Sequence, residues 1–250
     1  MKRIAIIVMS FFLICRPSIT LAQTTWEISE FHSDITIEKT GSVHVVEKIT
    51  VDFYTTQKHG IYREIPYVYQ SNNDEKKYTT ISDVAVLRDS HIEKYREEKN
   101  NNNIRILIGD PNKTIDGKHI YEISYIVKGV LVPYDTYDEL YWNVTGSSWE
   151  IPIQKASAVL TLPFPGLHQT ACYFGKNGSS SQCRNEKISE KQGVFSTDTV
   201  YPGENFTIAA GYSKGLVPIL TVPKPKTFLE ELLQPSIIAL YCLTTKRNKI

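Results

Sequence analysis

The chain carries none of the signatures that usually announce an enzyme. It has no His-Glu-x-x-His helix to hold zinc, no glycine loop shaped to cradle phosphate and no Gly-x-Ser-x-Gly elbow, and its six histidines are scattered. His168 and Cys172 could share a strand face, but a thiol committed to a disulfide is no nucleophile. An excess of charge is missing as well. The 28 lysines and arginines stand against 27 aspartates and glutamates, which gives nucleic acid no electrostatic foothold. No run of about 20 apolar residues, the length a membrane-crossing helix needs, occurs anywhere. Internal repeats and long low-complexity stretches are also absent, so a repeat architecture is not expected.

What is present begins at the two ends. Lys2 and Arg3, the apolar run Ile4 to Cys15 and the closing Thr20-Leu21-Ala22 form the parts of a secretory signal peptide, residues 1–22. Ile14 ahead of Cys15 does not suit lipoprotein cleavage. An uncleaved anchor is the alternative, but about 12 residues rise only about 18 Å as a helix against a hydrocarbon core of about 30 Å. Losing Lys2, Arg3 and Arg16 leaves 25 basic residues against 27 acidic ones. At the other end, the apolar segment Leu232 to Thr245 is followed by Lys246, Arg247 and Lys249, like the cytoplasmic flank of a transmembrane helix. Glu230, Glu231 and Pro235 shorten it. Residues 228–250 are therefore read as a short apolar, helical segment, with a membrane anchor and a truncated transmembrane helix both left open.

Between the ends, apolar and polar residues alternate at period two with turn residues between the runs, the pattern of half-buried antiparallel strands. The clearest hairpin joins Ile35 to Glu38 with Val43 to Phe53 through Lys39-Thr40-Gly41-Ser42, where Gly41 can supply a positive φ. Further strands are expected at Ile81 to Arg88, Ile104 to Ile108, His119 to Val127, Ala158 to Leu162, Ala171 to Phe174 and Phe206 to Ala210. The charged stretch His91 to Lys99 is read as surface, either a short helix or a solvated excursion. The expected fold is mainly β, an antiparallel sandwich over residues 23–213. A linker with Pro218, Pro223 and Pro225 follows over 214–227. Cys172 and Cys183 flank a Gly/Ser/Asn-rich loop and should pair in an oxidising compartment, contributing about 3 kcal/mol in the chain-entropy model. Their spacing is too wide for a zinc knuckle.

Two places stand out. On the apolar face formed by Val43, Val45, Ile49, Val51 and Phe53 sits Glu47, a carboxylate that needs a cation if it is buried. Alternation in His59-Gly60-Ile61-Tyr62-Arg63-Glu64-Ile65-Pro66 puts Arg63 with Ile61 and Ile65, so Glu47 and Arg63 are expected to meet. That pair is either a salt bridge fixing how two strands pack or, with His59 and Tyr62, the lining of a polar pocket. The second place is the aromatic segment from Tyr137 to Trp149. There Tyr141, Trp142, Asn143 and Trp149 are either core pillars or a platform for sugars or peptides. Asp135, Asp138 and Glu139 could offer oxygens to calcium, but their spacing matches no dedicated loop. No metal or other cofactor is expected. Asn112, Asn143, Asn177 and Asn205 open glycosylation sequons, relevant only in a host that glycosylates secreted proteins.

Taken together, Trp26-Glu27-Ile28, Gly41-Ser42-Val43 with Glu47, His59-Gly60-Ile61-Tyr62-Arg63 with Ile65-Pro66, Tyr141 to Gly146 with Trp149, and Pro202-Gly203-Glu204 resemble the YciQ-like predicted bacterial membrane proteins. The resemblance spans about Trp26 to Gly215. It implies a signal peptide, an outward-facing domain of unknown function and then transmembrane helices leading to a further region. It brings no activity with it.

The reading is an exported cell-envelope protein, secreted or membrane-associated through its C-terminus. Its ectodomain is expected to bind an unidentified protein or glycan, and nucleic acid is not among its partners. One alternative is an envelope glycan or peptide hydrolase using Glu47, Asp138 and Glu139 as acid and base groups. Another is a structural spacer for a membrane assembly.

Overall fold

The computed structural model describes residues 26–70, 76–100 and 102–224, and among them there is no helix. The signal segment and the C-terminal apolar segment lie outside the described residues. Asp135 is on an exposed bend between two strands.

Seventeen strands follow one another. The first nine are β1 (Glu27–Ile37), β2 (Val43–Asp52), β3 (Gly60–Pro66), β4 (Val68–Gln70), β5 (Lys76–Tyr78), β6 (Thr80–Arg88), β7 (His91–Ile92), β8 (Tyr95–Asn100) and β9 (Asn103–Gly109). The rest are β10 (Lys118–Lys128), β11 (Leu131–Pro133), β12 (Tyr137–Asn143), β13 (Ala156–Thr161), β14 (Leu167–Gly175), β15 (Arg184–Lys187), β16 (Gln192–Thr197) and β17 (Asn205–Ser213). An eight-stranded sheet runs β15-β16-β13-β1-β2-β10-β6-β7. A four-stranded sheet, β11-β12-β17-β14, and a three-stranded one, β3-β9-β8, bury their inner faces in the same apolar core as the large sheet. The short pair β4-β5 completes the set.

Side-chain phase explains the layering. In β2 the residues Val43, Val45, Glu47, Ile49 and Val51 are all fully buried, and β10 answers with Tyr121, Ile123, Tyr125 and Val127. Strand β1 changes phase: Ile28 and then Phe31, Ser33, Ile35 and Ile37 point inward, because an irregularity between Ile28 and Glu30 inserts one residue. The paired strands of the sheets are antiparallel except β1 and β13, which run parallel from Phe31 opposite Ala156 to Thr36 opposite Thr161. The large sheet is thus mixed, where alternation alone suggested an antiparallel one. The stretch His91 to Lys99 forms β7 and most of β8 rather than a helix or a loop, and it stays on the surface, with β8 exposed along its whole length. Edge strands carry charge in this way to discourage pairing with other chains.

Gly41 occupies the turn between β1 and β2 with φ +81°, and a Cβ there would come within 1.9 Å of the Pro218 carbonyl oxygen. The segment after β17 therefore crosses directly over this turn. Val217 is buried, Ile219 packs on the core and Val222 bridges to Tyr78. Cys172 and Cys183 are disulfide-bonded, with their Cα atoms 5.4 Å apart. Gly41→Ala should lower the urea midpoint by more than Gly117→Ala, whose φ is +71° but whose Cβ would meet nothing. The second substitution carries only the left-handed strain of about 1–2 kcal/mol, the first adds a backbone collision. Equal losses in equilibrium unfolding would show that the crossing segment yields freely.

Candidate functional site

The centre of the domain is an ion pair with no access to water. Glu47 is 0% exposed and Arg63 1%. Arg63 grips the carboxylate with two parallel bonds, Nε to Oε2 and Nη2 to Oε1, each 2.7 Å. The same guanidinium donates to the carbonyl oxygens of Val144 at 2.8 Å and Glu64 at 2.5 Å, and it lies 5.6 Å from the Phe31 ring centre. Tyr125 donates its hydroxyl to Glu47 Oε1 at 2.6 Å. Burial alone would draw the Arg63 proton off, but the Glu47 charge and its hydrogen bonds outweigh that and hold the guanidinium above its ordinary value. Burial, then the neighbouring Glu47 charge, pushes the Tyr125 phenol well up, so it remains a donor. Gly146 makes the arrangement sterically possible, since a Cβ there would sit 2.7 Å from Arg63 Nη1. Three sheets meet at this one guanidinium.

The outer face of β3 carries a second, half-buried set. Arg105 Nε donates to Glu64 Oε1 at 2.6 Å, Ser148 Oγ donates to Glu64 Oε2 at 2.5 Å, and Arg105 lies over the Tyr62 ring. Burial alone would raise the Glu64 carboxyl, but the bonds from Ser148 and Arg105 prevail and hold it below its ordinary value. Tyr62 reaches the Ser148 carbonyl and the Glu150 carboxylate at 3.3 Å. His59 is tied to the Lys113 carbonyl by Nδ1 at 2.8 Å, away from the buried pair. His59 and Tyr62 line a shallow, largely apolar depression of about 420 Å³ with Leu107 and Tyr95.

The aromatic segment divides between core and surface. Trp142 and Trp149 are buried, Trp149 donating Nε1–H to the Thr145 carbonyl at 2.9 Å while Trp142 Nε1–H finds no acceptor. Tyr141, on the opposite face of β12, is 52% exposed. It opens onto a cleft of about 460 Å³ shared with Asn143, Tyr69, Tyr173, Asn103 and Lys176. Asn143 Oδ1 accepts from the Gly146 backbone at 2.9 Å, the turn that also covers Arg63, so the cleft is built over the buried pair.

The carboxylates proposed for catalysis do not converge on one cleft. Glu47 is enclosed by Arg63 and Tyr125. Asp138 points into the domain, 2% exposed, accepting the Gly215 backbone at 2.8 Å and facing Lys214 at 3.6 Å. Glu139 projects from the other side of β12, its carboxyl raised by burial. Among the described residues no three His, Cys, Asp or Glu side chains gather as a metal site.

Period-two reasoning missed Tyr125, although a tyrosine in phase with Ile123 and Val127 was a legible sign of a buried hydroxyl. It also missed Tyr69, Tyr173, Asn103 and Lys176, which come from distant parts of the chain and carry no local signal. Glu47→Gln should lower stability by about 3–5 kcal/mol, because it leaves the Arg63 charge enclosed without its counterion. Adding Arg63→Met should cost less than the two single changes summed, as chemical denaturation of all four proteins would measure. Glu64 has a depressed pKa, so its contribution is present above the ordinary glutamate value of about 4.3 and is lost as pH falls through the lower folded value. Glu64→Gln should therefore flatten the decline of Tm below about pH 5.

Residues 27–212 match the family model described as the predicted membrane protein (DUF2207) N-terminal domain. The uncharacterized protein YciQ of Escherichia coli (strain K12) is 27% identical over 221 residues, which is 85% of this chain and 34% of that protein. The chain thus spans about a third of the length of this curated relative. Among solved structures, yeast LTA4 hydrolase in complex with bestatin overlaps with a TM-score of 0.46 at 8% identity, over 78% of this chain and 31% of that one. An M1 zinc metallopeptidase from Deinococcus radiodurans gives 0.39 at 10% identity, over 74% and 42%. With the family model spanning the whole β-rich domain, the chain belongs to the predicted membrane protein family defined by this N-terminal domain.

Proposed function

We propose that the domain is the extracytoplasmic ligand-binding part of a membrane protein, and that it binds through the cleft over Arg63. One observation carries this reading. Tyr141 stands half out of the protein at the mouth of a concave, mixed polar and aromatic surface, beside an amide held by Gly146 and above a rigid buried anchor. Convergent polar groups on a preformed concavity are the usual form of a recognition site. Export is supported by the leader-like residues 1–22 and by the disulfide, which persists in oxidising compartments. A hydrolase reading has less support, since Glu47 and Asp138 are held in other contacts and Glu139 projects from the opposite side of β12 to Asp138.

Two measurements test the proposal. In intact cells, Cys172 and Cys183 should resist alkylation until reductant is added, and removal of residues 1–22 should leave both thiols reactive. Thiols equally reactive in both forms would overturn export. Binding of the purified full chain to an immobilised, detergent-extracted envelope preparation should fall by most of its signal in Tyr141→Ala, with Tm unchanged. Undiminished binding would remove the cleft from the reading.

A further inference from the structure

We infer that the cleft takes a saccharide, a short run of pyranose rings, as its ligand; this rests on the cleft being the binding site proposed above. The argument starts from what lines it. Among the described residues no carboxylate lines it, so what they present to a ligand is largely neutral. Lys176 is the one charged group among the described residues that line it, a donor that suits oxygen-rich ligands. The other polar side chains are tyrosines, amides and the hydroxyls of Ser147, Ser179 and Thr207, each able to donate and accept. Pyranose hydroxyls have the same double character. Their C–H faces need flat, moderately apolar partners, which Tyr141 and Tyr173 supply at small conformational cost.

The hydrogen bonds already made inside the cleft sharpen this. Asn143 uses Oδ1 on the Gly146 backbone, so its two Nδ2 protons remain for a ligand oxygen. Next to it on the neighbouring strand, Asn205 Nδ2 donates to Asn177 Oδ1 at 2.8 Å and Thr207 Oγ1 donates to Asn205 Oδ1 at 3.0 Å. This chain leaves Asn177 Nδ2 as its outer donor. Amides locked in this way lose little freedom when they bind, which favours a ligand read by many weak polar contacts. Burial of Tyr141, with the neighbouring Tyr173 and Glu139 adding to it, raises its phenol, so it stays a neutral hydroxyl.

A peptide held as an added strand fits less well. That mode needs an open strand edge beside the groove, whereas β12 and β17 are hydrogen-bonded on both sides within their sheet and the outer side of β14 is taken up by the bonds of Phe174 N–H to Ser181 and of Cys183 N–H to Cys172.

The test titrates the full chain with three defined probes: maltotetraose for neutral hexoses, chitotetraose for N-acetylated amino sugars, and tetra-alanine as a peptide. Calorimetry should show saturable binding of at least one sugar and none of the peptide. Tyr141→Ala should weaken that binding about tenfold and Tyr173→Phe less, both melting with the parent protein. Saturation by chitotetraose alone would point to amino-sugar polymers as the source, by maltotetraose alone to neutral glycans, and either supports the inference. Binding of tetra-alanine in place of the sugars overturns it, as does sugar binding indifferent to Tyr141→Ala. If no sugar saturates while envelope binding still depends on Tyr141, the saccharide inference falls and the binding site stands; if both fail, the site itself is lost.

Discussion

A guanidinium enclosed in a β core needs partners for its N–H groups, and Arg63 makes four such bonds by reaching into each layer of the domain. Its carboxylate partner comes from the centre of the large sheet, its carbonyl acceptors from β3 itself and from the turn after β12, and an aromatic ring from β1 covers it. Desolvating this pair opposes folding, and the multiple charge-assisted bonds offset that cost. Apolar contacts tolerate sliding of one sheet over another; a bidentate bond does not. The relative placement of the three-stranded and four-stranded sheets follows from that geometry.

The cleft is a consequence of the same arrangement. Because Val144 must present its carbonyl to Arg63, the chain turns through Gly146 immediately after β12. That turn draws in the Asn143 side chain and leaves Tyr141, two residues earlier on the outward face, beside the opening. The inward face of β12 meanwhile delivers Leu140 and Trp142 to the core. One short strand thus serves stability on one side and exposure on the other.

Strand phase made much of this legible before any coordinates. The odd-numbered face of β2 identified Glu47 as misplaced among apolar residues, and alternation in β3 named Arg63 as its counterpart. The same logic could not resolve whether Trp142 and Trp149 were pillars or platform, because both choices share one local pattern. It also gave no warning of β7 and β8, whose charged, exposed residues lack the apolar alternation from which strands are read. Register between distant segments is a further limit: nothing in β14 announces that Tyr173 comes alongside Tyr141, since that proximity arises only when β17 pairs with both strands.

The parallel pairing of β1 with β13 has a kinetic side. His32 and Ser157, joined across these strands at 2.8 Å, are separated by 125 positions in the chain. The β1–β2 hairpin can form early, but its outer edge stays open until β13 has been made, and pairing across so long a loop is slow. Closing that edge of the large sheet therefore costs more chain entropy than forming the β1–β2 hairpin.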